Sequence, residues 1–376
     1  MIAKKIIYLD EAASSKADTG VVKAMEKYYL EEYGNPSSYH DMGERALKAI
    51  NDVRKKIAFE LGCKANLIIF TSGSTESNNL AFFGLVEGEL RKKRKKIIVS
   101  AVEHSSIFAI CDELKRKEFE ITEIGVDKEG RIKMDELEKE INEDVLLVSV
   151  MHVNNEIGVI QDIAKIGKLC RRAGVLYHCD AAQSFGKLKI DVNSFGIDLL
   201  TGSAHKIGGP KGIGFLFVRE GVDLHPIIWG GGQEKGLRGG TENVPAIAGF
   251  GVALDLIRRA NKEKIREIRD YFISELEKLG GRINGSKERR IYNNVNVCFP
   301  EVNGEDFVIA LSLKGIMCST GSACENLKER DNRVLKAIGL NKKEINGSLR
   351  FSLSKDVTKK DIDSVLRELT GLLKNI

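Results

Sequence analysis

From about Leu67 to Val218 the chain alternates short, uninterrupted apolar runs with helix-patterned stretches, and that alternation leaves few folds open. The runs are Leu67–Phe70, Ile97–Val99, Val145–Val150, Val175–Tyr177, Asp198–Leu200 and Gly214–Val218. Apolar runs this short, with no polar residue at every second place, suit strands covered on both faces. Ser74–Leu90 and Asp162–Arg172 carry helical patterns between them. Strand and helix in strict alternation predict an α/β fold, with a largely parallel sheet and helices on both sides.

The flanks extend this picture. Asp18–Tyr33 reads as a helix stopped by Gly34, and Ser38–Leu61 as a longer one ended by Gly62. Thr241–Leu279 is helical throughout; Asn294–Phe299, Phe307–Leu313 and Leu349–Leu353 then alternate strand and helix before a last helix over Lys359–Leu373. With 376 residues the chain is too long for one small core. The expected division is a large domain over 16–255, and a small α/β domain made of 1–15 and 256–376. There is no internal repeat, and five prolines make no proline-rich linker.

Charge and cysteine usage exclude several classes of function. A net charge of +5 without a dense basic stripe gives no reason to expect nucleic acid as a partner. The one strong run, Arg91 to Lys96, reads as the solvated end of a helix. No apolar stretch approaches the roughly 18 residues that would span a bilayer, and Met1–Leu9 is a strand pattern without signal-peptide architecture. Seven cysteines without a CxxC pair fit neither a disulfide framework nor a zinc site, so no resident metal is expected. These features point to a reducing cytoplasm.

Polar clusters gather at the ends of the apolar runs. Ser203-Ala204-His205-Lys206 opens a glycine-rich loop between two of them. A lysine so placed suits covalent capture of an aldehyde, since a desolvated amine loses its proton more readily; taken alone it is as readily a surface lysine. Thr71-Ser72-Gly73-Ser74-Thr75-Glu76 is a strand end, a glycine turn and a helix start, and forms a phosphate cradle or else an ordinary helix cap. Asp180, closing the run before Ala181-Ala182-Gln183, points into the crevice where ligands sit in parallel sheets, or caps the next helix. In a cofactor site it would keep a pyridinium nitrogen protonated, as pyridoxal phosphate (PLP) needs. His104 could stack on an aromatic cofactor and move protons, although a lone histidine is more often structural. His152 to Gly158 offers amides to a phenolic oxygen. Four such clusters, each behind a buried strand, describe one crevice.

In combination these motifs carry a resemblance to a family. Ser72-Gly73-Ser74-Thr75-Glu76-Ser77-Asn78, His152-Val153-Asn154-Asn155-Glu156-Ile157-Gly158, Ser203-Ala204-His205-Lys206 and Gly321-Ser322-Ala323-Cys324 together resemble the cysteine desulfurases. These include the nitrogen-fixation and housekeeping iron–sulfur types, and belong to the class V aminotransferases of PLP fold type I. The resemblance runs from Tyr8 to Ser352. It implies a mainly parallel seven-stranded sheet in the large, PLP-binding domain. It implies conversion of L-cysteine to L-alanine, with the sulfur leaving as a persulfide on Cys324. The sulfur would then pass to an iron–sulfur scaffold or a sulfur-carrier protein.

The resemblance also implies roles. Lys206 would bind PLP and shuttle protons, and His104 would stack on the ring and assist. Asp180 would pair with the ring nitrogen, and Gln183 and Asn155 would contact the ring hydroxyl, Asn155 also the substrate. Ser74, Thr75, Ser203 and His205 would hold the phosphate. Thr241 would reach the phosphate of a neighbouring subunit, which implies a homodimer. Arg350 would clamp the substrate carboxylate through its planar fork. Cys324 is the sulfur acceptor and the one thiol that a cluster would meet in passing; Cys318, at the end of an apolar stretch, reads as core. A selenocysteine lyase or another PLP aminotransferase on the same fold is the alternative. Two departures stand out. Asp10 to Lys16 replaces a usual threonine pair and proline, so the entrance is expected to differ, and Gly208 replaces a usual aromatic or histidine, so a looser cofactor site is expected.

Overall fold

The computed structural model describes residues 5–88, 90, 93–321 and 332–374. The chain enters through a two-residue strand β1 (Ile7–Tyr8), then α1 (Thr19–Leu30) and α2 (Asp41–Leu61). The alternating block follows as β2 (Ile68–Thr71), α3 (Ser74–Val86), β3 (Lys96–Ser100), α4 (Ser105–Arg116), β4 (Glu120–Ile124), α5 (Met134–Glu140), β5 (Val145–Ser149), α6 (Ile163–Ala173), β6 (Leu176–Asp180), β7 (Leu199–Ser203) and β8 (Gly214–Val218). Then come α7 (Val244–Arg259), α8 (Lys262–Lys278), β9 (Arg282–Ile283), β10 (Asn294–Cys298), α9 (Gly304–Leu313), β11 (Ile316–Met317), α10 (Arg333–Ala337), α11 (Lys342–Asn346), β12 (Ser348–Ser352) and α12 (Lys359–Leu373).

Seven strands form one mixed sheet in the order β2-β8-β7-β6-β5-β3-β4. The pairs from β7 to β4 are all parallel, whereas β8 runs antiparallel to both its neighbours. The parallel strands β3, β5, β6 and β7 therefore all end on the same edge. Strands β2, β3, β5, β7 and β8 are buried at every position, as their unbroken apolar runs require. The small region holds an antiparallel sheet, β12-β10-β9, and pairs β1 with β11 in parallel. Apolar side chains pack in separate groups. One lies on each face of the large sheet, and one joins Leu9 to residues between Ile265 and Leu369. A fourth links Val102, Val126, Ile157 and Val159 to Val334–Ile345.

Several expected boundaries move for identifiable reasons. Strand β4 is an edge strand with both its glutamates exposed, so it presents no apolar run to read. The helical stretch after Thr241 divides at Ala260, where ψ is 137°, and restarts with the Asn261 side chain accepting from Lys264 N. Helix α1 ends at Leu30, before Gly34, whose backbone instead packs against Met42; α2 starts at Asp41 behind His40 and not at Ser38. Helix α3 stops at Val86, and Arg91 and Lys92 of the basic run lie outside the described residues; Arg94 binds the carbonyls of Val145 and Gly174, and Lys96 is a buried strand residue paired with Glu140.

Candidate active site

At the edge where the parallel strands end lies a cavity of about 230 Å³. Nine of the expected residues line it: Ser74, Thr75, His104, Asn155, Asp180, Gln183, His205, Lys206 and Arg350. Their positions follow from the sheet. Asp180 is the last residue of β6, and His104 stands just beyond β3 as the N-cap of α4. Asn155 lies in the turn after β5, and Lys206 closes a short 3₁₀ turn directly behind β7.

The acidic side is held tightly. Asp180 Oδ2 accepts from Asn78 Nδ2 at 3.0 Å, and Oδ1 from Ala182 N at 2.9 Å. Asn78 Nδ2 also donates to Ser106 Oγ at 3.1 Å, and Ser106 Oγ lies 2.8 Å from His104 Nδ1. Ser106 N donates to the same Nδ1 at 3.2 Å, which occupies its lone pair and leaves the imidazole proton on Nε2. Burial holds His104 below its usual value, with Lys206 adding to the effect and Asp180 opposing it. The ring is therefore neutral near pH 7.

Two buried groups beside this network have no obvious reading from sequence. Asn78 acts through Asp180, which is 102 positions away. Glu103 accepts from Met151 N at 2.6 Å, and burial, then the charge of Asp180, push its carboxyl well above the carboxylate range. It is a neutral acid in the wall, with Oε2 unpartnered. No local pattern marks either residue.

Opposite lies the basic side. Lys206 Nζ donates to Ala12 O at 2.7 Å and to Ala13 O at 2.8 Å, so residues 12–15 form a partition against the cavity. Gln183 Nε2 donates to Ala12 O at 2.9 Å. His205 is pushed down to about 4 by burial and then by the charge of Lys206, and it is neutral at pH 7. Arg350 is almost wholly buried; one arm donates to Asp10 Oδ1 at 2.8 Å, another to Asn155 O at 3.2 Å, and its Nε has no partner.

Three expected residues stand apart from this cavity. Ser203 is buried behind it with an unpartnered Oγ. Thr241 is exposed, in a segment whose Gly239 N donates to Ile228 O at 3.0 Å. Cys324 lies outside the described residues, but the strand leading to it is fixed: Ser319 N donates to Arg350 O at 3.1 Å, and Arg350 N to Ser319 O at 2.6 Å. Cys318 is a core residue, as expected, its thiol pushed up to about 12 mainly by burial. Gly208 is not among the residues that line this cavity. It lines a second one, beyond the partition.

The residues fit PLP. Helix α3 begins at Ser74 with no side-chain cap, behind Gly73 at φ 153° and ψ −179°, a conformation essentially reserved for glycine. Its uncapped N-terminus, with Ser74 and Thr75 on the cavity, leaves backbone N–H groups that suit an anion. An anchored carboxylate and an amine complete the set. Among the described residues no helix is long and apolar enough to cross a membrane, and no cluster of side chains is placed to hold a metal.

Comparison with known proteins agrees with this geometry. Residues 7–365 match the family model described as aminotransferase class-V. Cysteine desulfurase IscS of Dictyoglomus turgidum is 42% identical over 99% of this chain and 96% of its own length. Cysteine desulfurase IscS 1 of Archaeoglobus fulgidus is 43% identical over 98% of this chain and 97% of its own. Among solved structures, a NifS-like protein superposes with a TM-score of 0.93 at 34% identity, over 99% of this chain and 100% of that one. A structure titled SspA in complex with cysteine superposes with a TM-score of 0.84 at 36% identity, over 92% and 98% of the two chains.

Proposed function

The chain belongs to the aminotransferase class-V family, and from that premise we infer that it is a PLP-dependent cysteine desulfurase. It converts L-cysteine to L-alanine and passes the sulfur on as a persulfide. The observation that carries this reading is Arg350, a buried guanidinium with an unpartnered Nε, facing the cavity that Lys206 and Asp180 also line. An amino-acid carboxylate is the ligand such a fork fits.

PLP would be held by Lys206, by Asp180 at its ring nitrogen, and by Ser74, Thr75, Ser203 and His205 at its phosphate; when bound it supplies the electron sink that makes the substrate α-proton removable. Gln183 and Asn155 give the ring hydroxyl its donors, and Asn155 also touches the substrate. His104 covers the ring and, as a neutral imidazole, holds a transferable proton on Nε2. Arg350 fixes the substrate carboxylate, which aims the α-hydrogen at Lys206 Nζ, and Lys206 takes that proton. Cys324 Sγ, as thiolate, attacks the substrate sulfur. A sulfur–sulfur bond forms, the carbon–sulfur bond breaks with its electron pair going to carbon, and one proton returned to that carbon and one to the α-carbon, through Lys206 and His104, give alanine.

The same reading supplies the setting. The division into 16–255 and 1–15 with 256–376 is supported by separate apolar groups on either side of it. Association as a homodimer is supported by Thr241, exposed beside Ile228 and an 80% exposed Trp229. The persulfide acceptor is an iron–sulfur scaffold or sulfur-carrier protein, by likeness to relatives named IscS. Six free cysteines among the described residues support a reducing cytoplasm.

The test is alanine formation from L-cysteine by the PLP-loaded protein with a thiol reductant, beside Cys324→Ala. Alanine with matching sulfide, lost in the variant, is expected. Alanine retained in the variant would mean a lyase that does not use this thiol, and no alanine at all would refute the reading.

A further inference from the structure

Beyond the partition of residues 12–15 lies a second and larger cavity, of about 670 Å³. Ser14, Ser15, Lys16 and Gly208 all line it, so the two stretches in which this chain departs from its family's usual pattern meet on one wall. At Gly208 an added Cβ would meet only Lys16 O, at 3.6 Å, so the missing side chain leaves open space. The volume is in the range of small-molecule sites, roughly 300–1,000 Å³.

The lining of the cavity is of two kinds. The basic part includes Lys187, 5% exposed, whose ammonium makes one hydrogen bond, to Gln183 Oε1 at 3.5 Å. Among the described residues no carboxylate lies within ion-pair distance of it; burial lowers its ammonium to about 8, against the opposing charge of Glu11. An ammonium has three donors, and one long bond to an amide leaves a buried charge poorly compensated. Asp18 does not serve it, being paired with Lys355 at 2.8 Å. Glu11 shares the wall, but burial pushes its carboxyl up to about 7, so it carries only part of a charge near neutrality. Lys16 and Lys211 add further positive charge at the rim. The apolar part of the lining includes Leu256, Ile257 and Ile265.

We propose that this cavity is a binding site for an amphipathic organic carboxylate, with the carboxylate on Lys187 Nζ and the apolar tail along Leu256, Ile257 and Ile265. The site adjoins the catalytic cavity: Lys206 lines both, held by the Ala12 and Ala13 carbonyls of the partition.

The experiment is calorimetric titration of the PLP-loaded protein with octanoate, and with octylamine as the charge-reversed control. Saturable binding of one octanoate per chain, with octylamine much weaker, is expected. Lys187→Met should weaken octanoate by at least about tenfold, the share of one charged hydrogen bond. Leu256→Trp, which adds bulk to the apolar lining and keeps the lysine, should abolish binding while the spectrum of bound PLP stays unchanged. Equal binding of both probes, no saturable binding, or affinity unaltered in both variants would each overturn the proposal. So would binding that survives Lys187→Met and is lost in Arg350→Ala, which would put the anion in the catalytic cavity.

Discussion

Asn78 ties three catalytic-side groups together with one amide, since it donates to Asp180 and to Ser106, and Ser106 in turn meets His104. Asn78→Ala removes both bonds at a buried position. We expect it to weaken PLP binding by about 1–3 kcal/mol, roughly five- to a hundredfold, read as the PLP concentration needed to saturate the visible absorbance. Glu11 yields a second prediction. Its folded carboxyl keeps its proton up to about 7, against an ordinary value near 4.5. The unfolded chain releases that proton first, so folding is penalised as pH rises from 4.5 to 7. The penalty is absent below that window and full above it. Glu11→Gln should therefore stabilise the protein at pH 8, by up to about 3 kcal/mol, and change little at pH 4. Denaturant melts at the two values would show it, and equal shifts at both would refute it. Residues such as Lys206, Asp180 and His104 were legible in the sequence because each follows an apolar run and so must sit at a strand end. Asn78 and Glu103 were not, because their partners are distant in sequence and a buried acid has no local signature.

At the scale of elements, hydrophobic pattern located the central strands and failed where burial was partial. Strand β4 buries only Ile124 fully, and its exposed glutamates hide it. The break between α7 and α8 turns on one cap, Asn261, which a continuous helical pattern conceals. Close approach of neighbouring strands sets another constraint. In β7 an added Cβ at Gly202 would come within 2.2 Å of the Phe215 ring on β8. Gly202→Ala must push that ring aside, and overpacking of this kind costs about 1–3 kcal/mol. Because Ser203 and Lys206 follow directly, we expect a lower melting temperature together with a weaker hold on PLP; an unchanged melting temperature would show that β7 and β8 have more room than described.

For the whole molecule, the proposed homodimer would set a second copy against the exposed stretch that carries Ile228, Trp229 and Thr241. Trp229→Asp places a charge there. We expect light scattering to show a smaller species, with PLP affinity falling alongside, because Thr241 would no longer reach the partner's phosphate site. A variant that stays dimeric would place the interface elsewhere. The sequence announced this arrangement only through family likeness, since no pattern within one chain can show which exposed side chain faces a twin.

The pairing of Arg350 with Asp10 has a consequence for selectivity. Its guanidinium is already bound to a carboxylate on its own chain, 2.8 Å away. A tethered group of this kind acts at a high effective concentration, on the order of millimolar or more. An incoming acid thus meets a resident competitor. Simple anions with one handle lose that contest, while an amino acid, gripped also at its amine, wins it. Asp10→Asn should consequently admit acetate as a measurable inhibitor of alanine formation, where the parent protein ignores it. The site would be guarded by rivalry instead of by a door.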